Sequence, residues 1–302
     1  MAAILAGIRR SGQPPLRSLG IAGARTAYDR GIRLLDIAPE PAVTLHDEMI
    51  VTASGASPVA ARRYQGPRQS SGTLLWMHGG GYCVGSLASA DLICRMLAVR
   101  SGMTVMSVAY RLAPEAPFPA AVDDAFAAYE WLRTKIERDA PVVLGGDSVG
   151  ATLALVTALL ARDRSMQMPT ALLLAYPTVA GRRPSESKAR YAQGHFLELA
   201  DLNWFYDNYT GPTDLDMDFR FAPLAATTLR GLPPTWISLA ELDPLRDEGR
   251  RLACALRDAQ VTTIETEYAC LVHGFLQMGG VVPAATRAHV DALAFLASRG
   301  KR

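Results

Sequence analysis

Leu144-Gly145-Gly146-Asp147-Ser148-Val149-Gly150-Ala151 decides how this chain is read. It ends a short apolar run, Pro141 to Leu144, and leads into an Ala- and Leu-rich stretch, Ala151 to Ala161. That order predicts strand, tight turn and helix. Inside it stands Gly146-Asp147-Ser148-Val149-Gly150, the spacing Gly-x-Ser-x-Gly. On so sharp a turn a serine backbone is strained and its hydroxyl is thrust out above the sheet. The glycines leave room where a side chain would meet the neighbouring strand or helix. Ser148 also falls at the start of the predicted helix, where free N–H groups and the positive dipole end favour a developing anion. A serine that merely caps its helix would satisfy the same pentapeptide; the strand before it and the helix after it favour a nucleophile.

Outward from this turn, helical and strand patterns alternate. Thr73 to Met77 is a continuous apolar run, as expected of a strand covered on both faces, and Met103 to Ala109 and Ala171 to Tyr176 read as further buried strands. Val43 to Val51 alternates in part and suits a half-exposed edge strand, with Val59 to Tyr64 as a partner. Helical stretches are read at about Ala88 to Arg100 and Ala120 to Arg138. After the nucleophile helix the pattern resumes with strand Thr235 to Leu239, helix Leu245 to Asp258, strand Val261 to Tyr268 and a last helix from about Pro283 to Ser298. Such alternation implies an α/β fold, with a mostly parallel sheet flanked by helices on both faces. Two segments break it. Residues 1–45 read as helical and irregular and precede the first good strand, a candidate for something laid over the main domain. Residues 181–223 are rich in charge and aromatics and too long for plain loop, so they read as a helical insertion. The main domain is then 46–180 and 224–302.

Composition narrows the function. The chain has 302 residues, 49% of them hydrophobic, enough for one large core or a core with a cap. Lys and Arg number 31 against 29 Asp and Glu, and no basic stripe suggests nucleic acid. In Met1 to Arg10 the charges follow the apolar patch, the reverse of a secretory signal, and no apolar run reaches transmembrane length. No stable membrane anchor is expected. Cys83, Cys94, Cys254 and Cys270 show no metal-binding spacing. They read as reduced, mostly buried thiols of a cytoplasmic protein, with Cys83 and Cys270 packing near the site.

A serine nucleophile needs a base, and the base an orienting acid. Of the five histidines, His46 lies in the edge strand, His195 in the insertion and His289 in the last helix. His78 and His273 follow strand ends. His273, in Leu271-Val272-His273-Gly274-Phe275, lies late in the chain on a loop able to swing over the sheet edge, and is the chosen base. The acid should follow a strand between Ser148 and His273. Asp243, in Ala240-Glu241-Leu242-Asp243-Pro244-Leu245, fits, although its place before Pro244 also suits a helix cap. Glu241 is the second choice and Asp247 a further competitor. The oxyanion needs backbone N–H donors. His78-Gly79-Gly80-Gly81 follows a buried strand, so Gly80 and Gly81 are candidates, with Val149 after the nucleophile as the other donor. His78 is read as holding this loop, with Gly79 part of it. Asp147 and Glu115 are read as supporting loops by hydrogen bonds.

These residues carry a resemblance. His78-Gly79-Gly80-Gly81, Tyr110-Arg111-Leu112-Ala113-Pro114-Glu115, Gly146-Asp147-Ser148-Val149-Gly150, Asp243-Pro244-Leu245-Arg246-Asp247-Glu248 and His273-Gly274-Phe275 fall in the order found in the hormone-sensitive-lipase-like esterases. The chain resembles their bacterial branch, of the α/β-hydrolase superfamily, from about residue 40 to the C-terminus. Pro14-Pro15-Leu16 and Ala24 to Tyr28 also look like that family's N-terminal cap segment. The resemblance implies an α/β-hydrolase domain capped by residues 1–45 and 181–223. It implies Ser148, Asp243 and His273 as triad and carboxylic esters with short to medium acyl chains as substrates. It implies no metal or organic cofactor, and in some members a homodimer through the edge strand, here Val261 to Tyr268. Val149 stands where the family usually has Ala; its N–H remains, and its branched side chain is expected to narrow the site or to change which alcohol or acyl group fits.

The same motifs would serve an amidase, a deacetylase or a lactone hydrolase. A non-catalytic receptor on this fold is a different reading; the plant gibberellin receptors resemble these esterases but lack the catalytic histidine, which is present here as His273.

Overall fold

The computed structural model describes residues 1–51, 58–68 and 72–299; the last three positions of the 224–302 segment lie outside them. Its centre is an eight-stranded sheet, among the described residues, in the order β1-β2-β4-β3-β5-β6-β7-β8. The strands are β1 (Thr44–Ile50), β2 (Val59–Gln65), β3 (Thr73–Met77), β4 (Thr104–Ala109), β5 (Val142–Asp147), β6 (Ala171–Ala175), β7 (Thr235–Leu242) and β8 (Thr263–Val272). Pairs β1–β2 and β2–β4 are antiparallel; the rest are parallel.

The apolar runs form central strands because both faces of the sheet are covered. Along β3, Leu75 and Met77 join one core with Leu144, Leu172 and Ile237, while Leu74 and Trp76 join a second with Val143, Leu173 and Trp236. The first core is closed by helices α4 (Ala120–Lys135), α5 (Val149–Asp163) and α8 (Arg246–Asp258), through Phe126, Leu153 and Leu252. The second is closed by α3 (Asp91–Ser101) and α9 (Pro283–Ala297), through Met96, Leu97 and Phe295. Helix α3 begins at Asp91 rather than near Ala88, because 86–90 form turns whose serines bond to one another: Ser89 Oγ donates to Ser86 O at 2.9 Å.

The parallel strands run further than their apolar cores suggest. β5 continues through the glycines to Asp147, β7 to Leu242 and β8 to Val272. Backbone pairing does not require regular apolar alternation: β5 ends in glycines and Asp147, and β7 and β8 pair through an irregular register before Leu242 and Val272. These three strand ends carry Ser148, Asp243 and His273 directly after them.

The N-terminal segment holds α1 (Ala2–Arg10) and α2 (Gly20–Leu35). The 181–223 segment is only partly helical, with α6 (Glu186–Arg190) and α7 (Leu199–Thr210) joined by turns. The two segments meet: Arg17 Nη1 lies 2.9 Å from Asp201 and 3.2 Å from Glu198.

Candidate active site

Ser148 sits at the turn between β5 and α5 with φ 55 and ψ −124. A non-glycine residue with positive φ is held there only by its surroundings. Its N–H donates to Ala175 O on the neighbouring strand at 2.8 Å. Gly150 lets the helix approach the sheet, since a Cβ there would run into the carbonyls of Met77 and His78.

His273 follows β8 directly and stands between Ser148 and Asp243. Its Nε2 lies 3.0 Å from Ser148 Oγ, and its Nδ1 lies 2.8 Å from Asp243 Oδ2. Asp243 is 1% and His273 8% exposed, while Ser148 is half-buried. Asp243 has a second duty: Oδ1 accepts the Leu245 N–H at 2.8 Å. That bond closes a local turn and is not a helix cap, because α8 has Leu245 as its N-cap residue with no side-chain cap bond. Glu241 and Asp247 point elsewhere. Glu241 Oε2 accepts the Cys270 N–H at 2.7 Å, and Asp247 Oδ2 accepts the Ser187 N–H at 2.7 Å. The ring of Tyr176 meets that of His273 edge-on at 4.8 Å.

The glycine loop follows β3 and passes over the nucleophile turn. Gly79 N–H donates to Asp147 Oδ1 at 3.0 Å, which ties the loop to the turn. Burial raises the Asp147 carboxyl to about 6, against the opposing pull of the Gly79 N–H and of His273. His78 is buried, stacks on Tyr110 at 4.4 Å and places Nδ1 2.8 Å from Gly79 O. Burial lowers its imidazole to about 4. Tyr110 OH donates to His78 O at 2.7 Å. The N–H groups of Gly80, Gly81 and Val149 have no acceptor among the described residues. Gly81 has φ +60, and a Cβ there would strike the ring of Phe205.

Ser148, His273, Gly80 and Gly81 border a cavity of about 1290 Å³. Its walls also include Tyr176 and Gln277 of the main domain, Tyr28 and Ile32 of the N-terminal segment, and Leu202 and Phe205 of the 181–223 segment. Glu115 lies at the edge of this assembly: Arg25 donates to its two oxygens at 2.9 and 2.7 Å, joining α2 to the loop after β4. Arg25 also donates to Cys83 O at 2.9 Å and Ala113 O at 3.1 Å.

The other histidines stand apart. His46 is exposed on β1, and His195 places Nδ1 2.7 Å from Gln193 O. His289 is buried with Nε2 2.7 Å from Leu276 O, supporting the segment after His273. Cys83 and Cys94 are buried, but Cys254 and Cys270 are exposed, so packing does not account for the latter pair. Cys270 lies where β8 leaves its regular register, which turns its side chain out of the core. The aromatic 181–223 insertion, Phe205 included, does supply an apolar wall of the cavity, as its composition suggests. Sequence reasoning missed Tyr176 and Arg25. Tyr176 follows a strand end and could have been found by the rule that located Ser148; Arg25 meets the site only through long-range contacts that carry no local pattern.

Among the described residues no three or more His, Cys, Asp or Glu side chains are grouped so as to hold a metal, and no helix is long and apolar enough to cross a membrane.

The family model of the α/β-hydrolase fold matches residues 74–277. The chain is similar to the carboxylic ester hydrolase LipN of Mycobacterium tuberculosis, 37% identical over 286 residues, covering 89% of this chain and 75% of that protein. It is similar to an ethyl acetate hydrolase of Pseudomonas putida, 35% identical over 283 residues, covering 90% and 88%. Among solved structures it superposes on an ester hydrolase from the metagenome of Lake Arreo, bound to a bipyridine phosphonate derivative. That match has a TM-score of 0.92, 32% identity and coverage of 98% and 96% of the two chains.

Proposed function

Since the chain belongs to the α/β-hydrolase fold family, we propose that it hydrolyses carboxylic esters with short to medium acyl chains through an acyl-enzyme on Ser148. The observation that carries this reading is the unbroken relay from Ser148 Oγ to His273 to Asp243, with Ser148 and His273 bordering the cavity.

In this mechanism His273 Nε2 takes the serine proton as Oγ attacks the ester carbonyl. Asp243 holds the Nδ1–H tautomer and stabilises the imidazolium. The N–H groups of Gly80, Gly81 and Val149 receive the oxyanion, each such donor typically giving about 2.7–4 kcal/mol of transition-state stabilisation. The alcohol leaves with the proton from His273, and water repeats the sequence on the acyl-enzyme, releasing the acid and restoring Ser148. Asp147, Gly79 and His78 hold the donor loop, and Glu115 holds α2 beside it.

The finer assignments belong to the same reading. The order of the motifs from His78-Gly79-Gly80-Gly81 to His273-Gly274-Phe275 supports membership of the bacterial hormone-sensitive-lipase-like esterases, with residues 1–45 and 181–223 as the cap. The protein works in the cytoplasm, where free cysteines stay reduced, and it pairs with a second copy along edge strand β8, on which Ile264 is exposed.

Hydrolysis of p-nitrophenyl esters from acetate to palmitate, with wild type beside Ser148→Ala and His273→Gln, tests the reading. Turnover of the shorter esters, reduced by about 10⁴-fold or more in both variants, is expected. Turnover surviving in Ser148→Ala would overturn it. Parallel anilide and lactone panels would separate the amidase and lactonase readings.

A further inference from the structure

β7 and β8 pair with a constant offset of 28 residues from Thr235 with Thr263 to Ala240 with Tyr268. The next pair is Leu242 with Val272, an offset of 30. Glu241 alone therefore faces Ala269, Cys270 and Leu271. The separation of Asp243 and His273 is also 30. At the earlier register Asp243 would stand level with Leu271, two residues short of the imidazole. The irregularity is what brings acid and base level at adjacent strand ends.

The extra length has to be held. Cys270 takes φ +60, a left-handed conformation that a side chain disfavours. Its side chain is exposed, so no core packing holds it there. What does hold it is Glu241, whose Oε2 accepts the Cys270 N–H at 2.7 Å. We infer that Glu241, by bonding the Cys270 N–H, pins the β8 irregularity that sets His273 level with Asp243, and so acts as a positioning residue for the proposed base. This rests on the esterase reading above. Glu241 touches neither substrate nor proton; it fixes the two strand ends that do.

The test uses kcat and KM for p-nitrophenyl acetate and the thermal unfolding midpoint. The proteins are wild type, Glu241→Ala, Glu241→Gln, Cys270→Gly, Glu241→Ala/Cys270→Gly and Ser148→Ala. Misplacing a reacting group by about 1 Å can cost about 100-fold, so Glu241→Ala should lower kcat by roughly 10- to 100-fold with KM nearly unchanged. Glu241→Gln retains an acceptor oxygen and should keep most activity. Cys270→Gly should match wild type, and in the double variant it should recover much of the loss, because glycine adopts the left-handed conformation unaided. Wild-type kcat in Glu241→Ala would overturn the inference. So would a loss that Cys270→Gly leaves untouched, or one that follows the unfolding midpoint. Activity surviving in Ser148→Ala would instead overturn the esterase site on which the inference stands.

Discussion

Lys188 Nζ lies 2.9 Å from Glu248 Oε2, with the two side chains only 5% and 0% exposed. Lys188 belongs to α6 of the 181–223 segment and Glu248 to α8, five residues after Asp243. The ammonium also donates to Gly181 O at 2.8 Å and Arg183 O at 3.0 Å, and Glu248 Oε1 accepts the Val179 N–H at 2.6 Å. The pair thus fastens the root of the segment to the helix that follows the acid. Removing one partner leaves an uncompensated buried charge. Lys188→Met should therefore destabilise the protein by about 3–5 kcal/mol, read from urea unfolding. A loss below about 1 kcal/mol would show that the pair is not buried as described.

The raised Asp147 carboxyl makes a signed prediction. Between its ordinary value of 3.8 and about 6, the folded state holds a proton that the unfolded chain has released. Its contribution to stability is full below pH 3.8 and lost as pH rises through about 6. An asparagine side chain at this position does not titrate. The stability of Asp147→Asn minus that of wild type should climb from pH 4 to pH 6 by up to about 3 kcal/mol, then level off. Urea titrations at stepped pH measure this difference, and a flat one contradicts it.

Arg25 and Glu115 form a two-pronged pair, but the partners are not equal. The Glu115 side chain is 62% exposed, so Glu115→Ala should change stability by about 0–1 kcal/mol. Arg25 also serves the carbonyls of Cys83 and Ala113. Arg25→Ala should cost about 1–3 kcal/mol and raise KM, because α2 forms a cavity wall. Arg25→Lys should not restore either, since an ammonium cannot span four acceptors in a planar fork. Thermal unfolding and steady-state kinetics on the three variants decide the order.

Phe205 closes the cavity beside Gly81, and its removal should widen the space next to the proposed oxyanion donors. Phe205→Ala should move the preferred p-nitrophenyl ester to a longer chain and raise KM for the acetate. An unchanged chain-length profile would place acyl selection on another wall.

The parts of this protein legible in sequence are those whose signal is local. Leu74, Leu75 and Trp76 announce a strand covered on both faces, because each residue faces one of two apolar layers. The turn at Ser148 is equally local: Gly146 and Gly150 stand where neighbouring backbone leaves no room for a Cβ. Residues 181–223 were legible as a helical insertion, but not as two helices separated by turns. Their helices are short, and Lys188, Asp201 and Phe205 act through partners far away in the chain.

The acids show the boundary most clearly. Glu241, Asp243 and Asp247 crowd into seven residues, and each could have oriented His273 as far as sequence order and residue type determine. By itself the sequence determined an alternating α/β chain, a serine on a strained turn, a late histidine and Asp243 as the favoured of three candidate acids at the end of β7 or just after it. Tertiary structure decided the division of labour: Asp243 to His273, Glu241 to the Cys270 N–H, and Asp247 to the Ser187 N–H. The reason is register. Side-chain alternation tells which face a strand residue takes, but the offset between neighbouring strands is set by pairing across the sheet. The step from 28 to 30 between β7 and β8 exists only once both strands are in place.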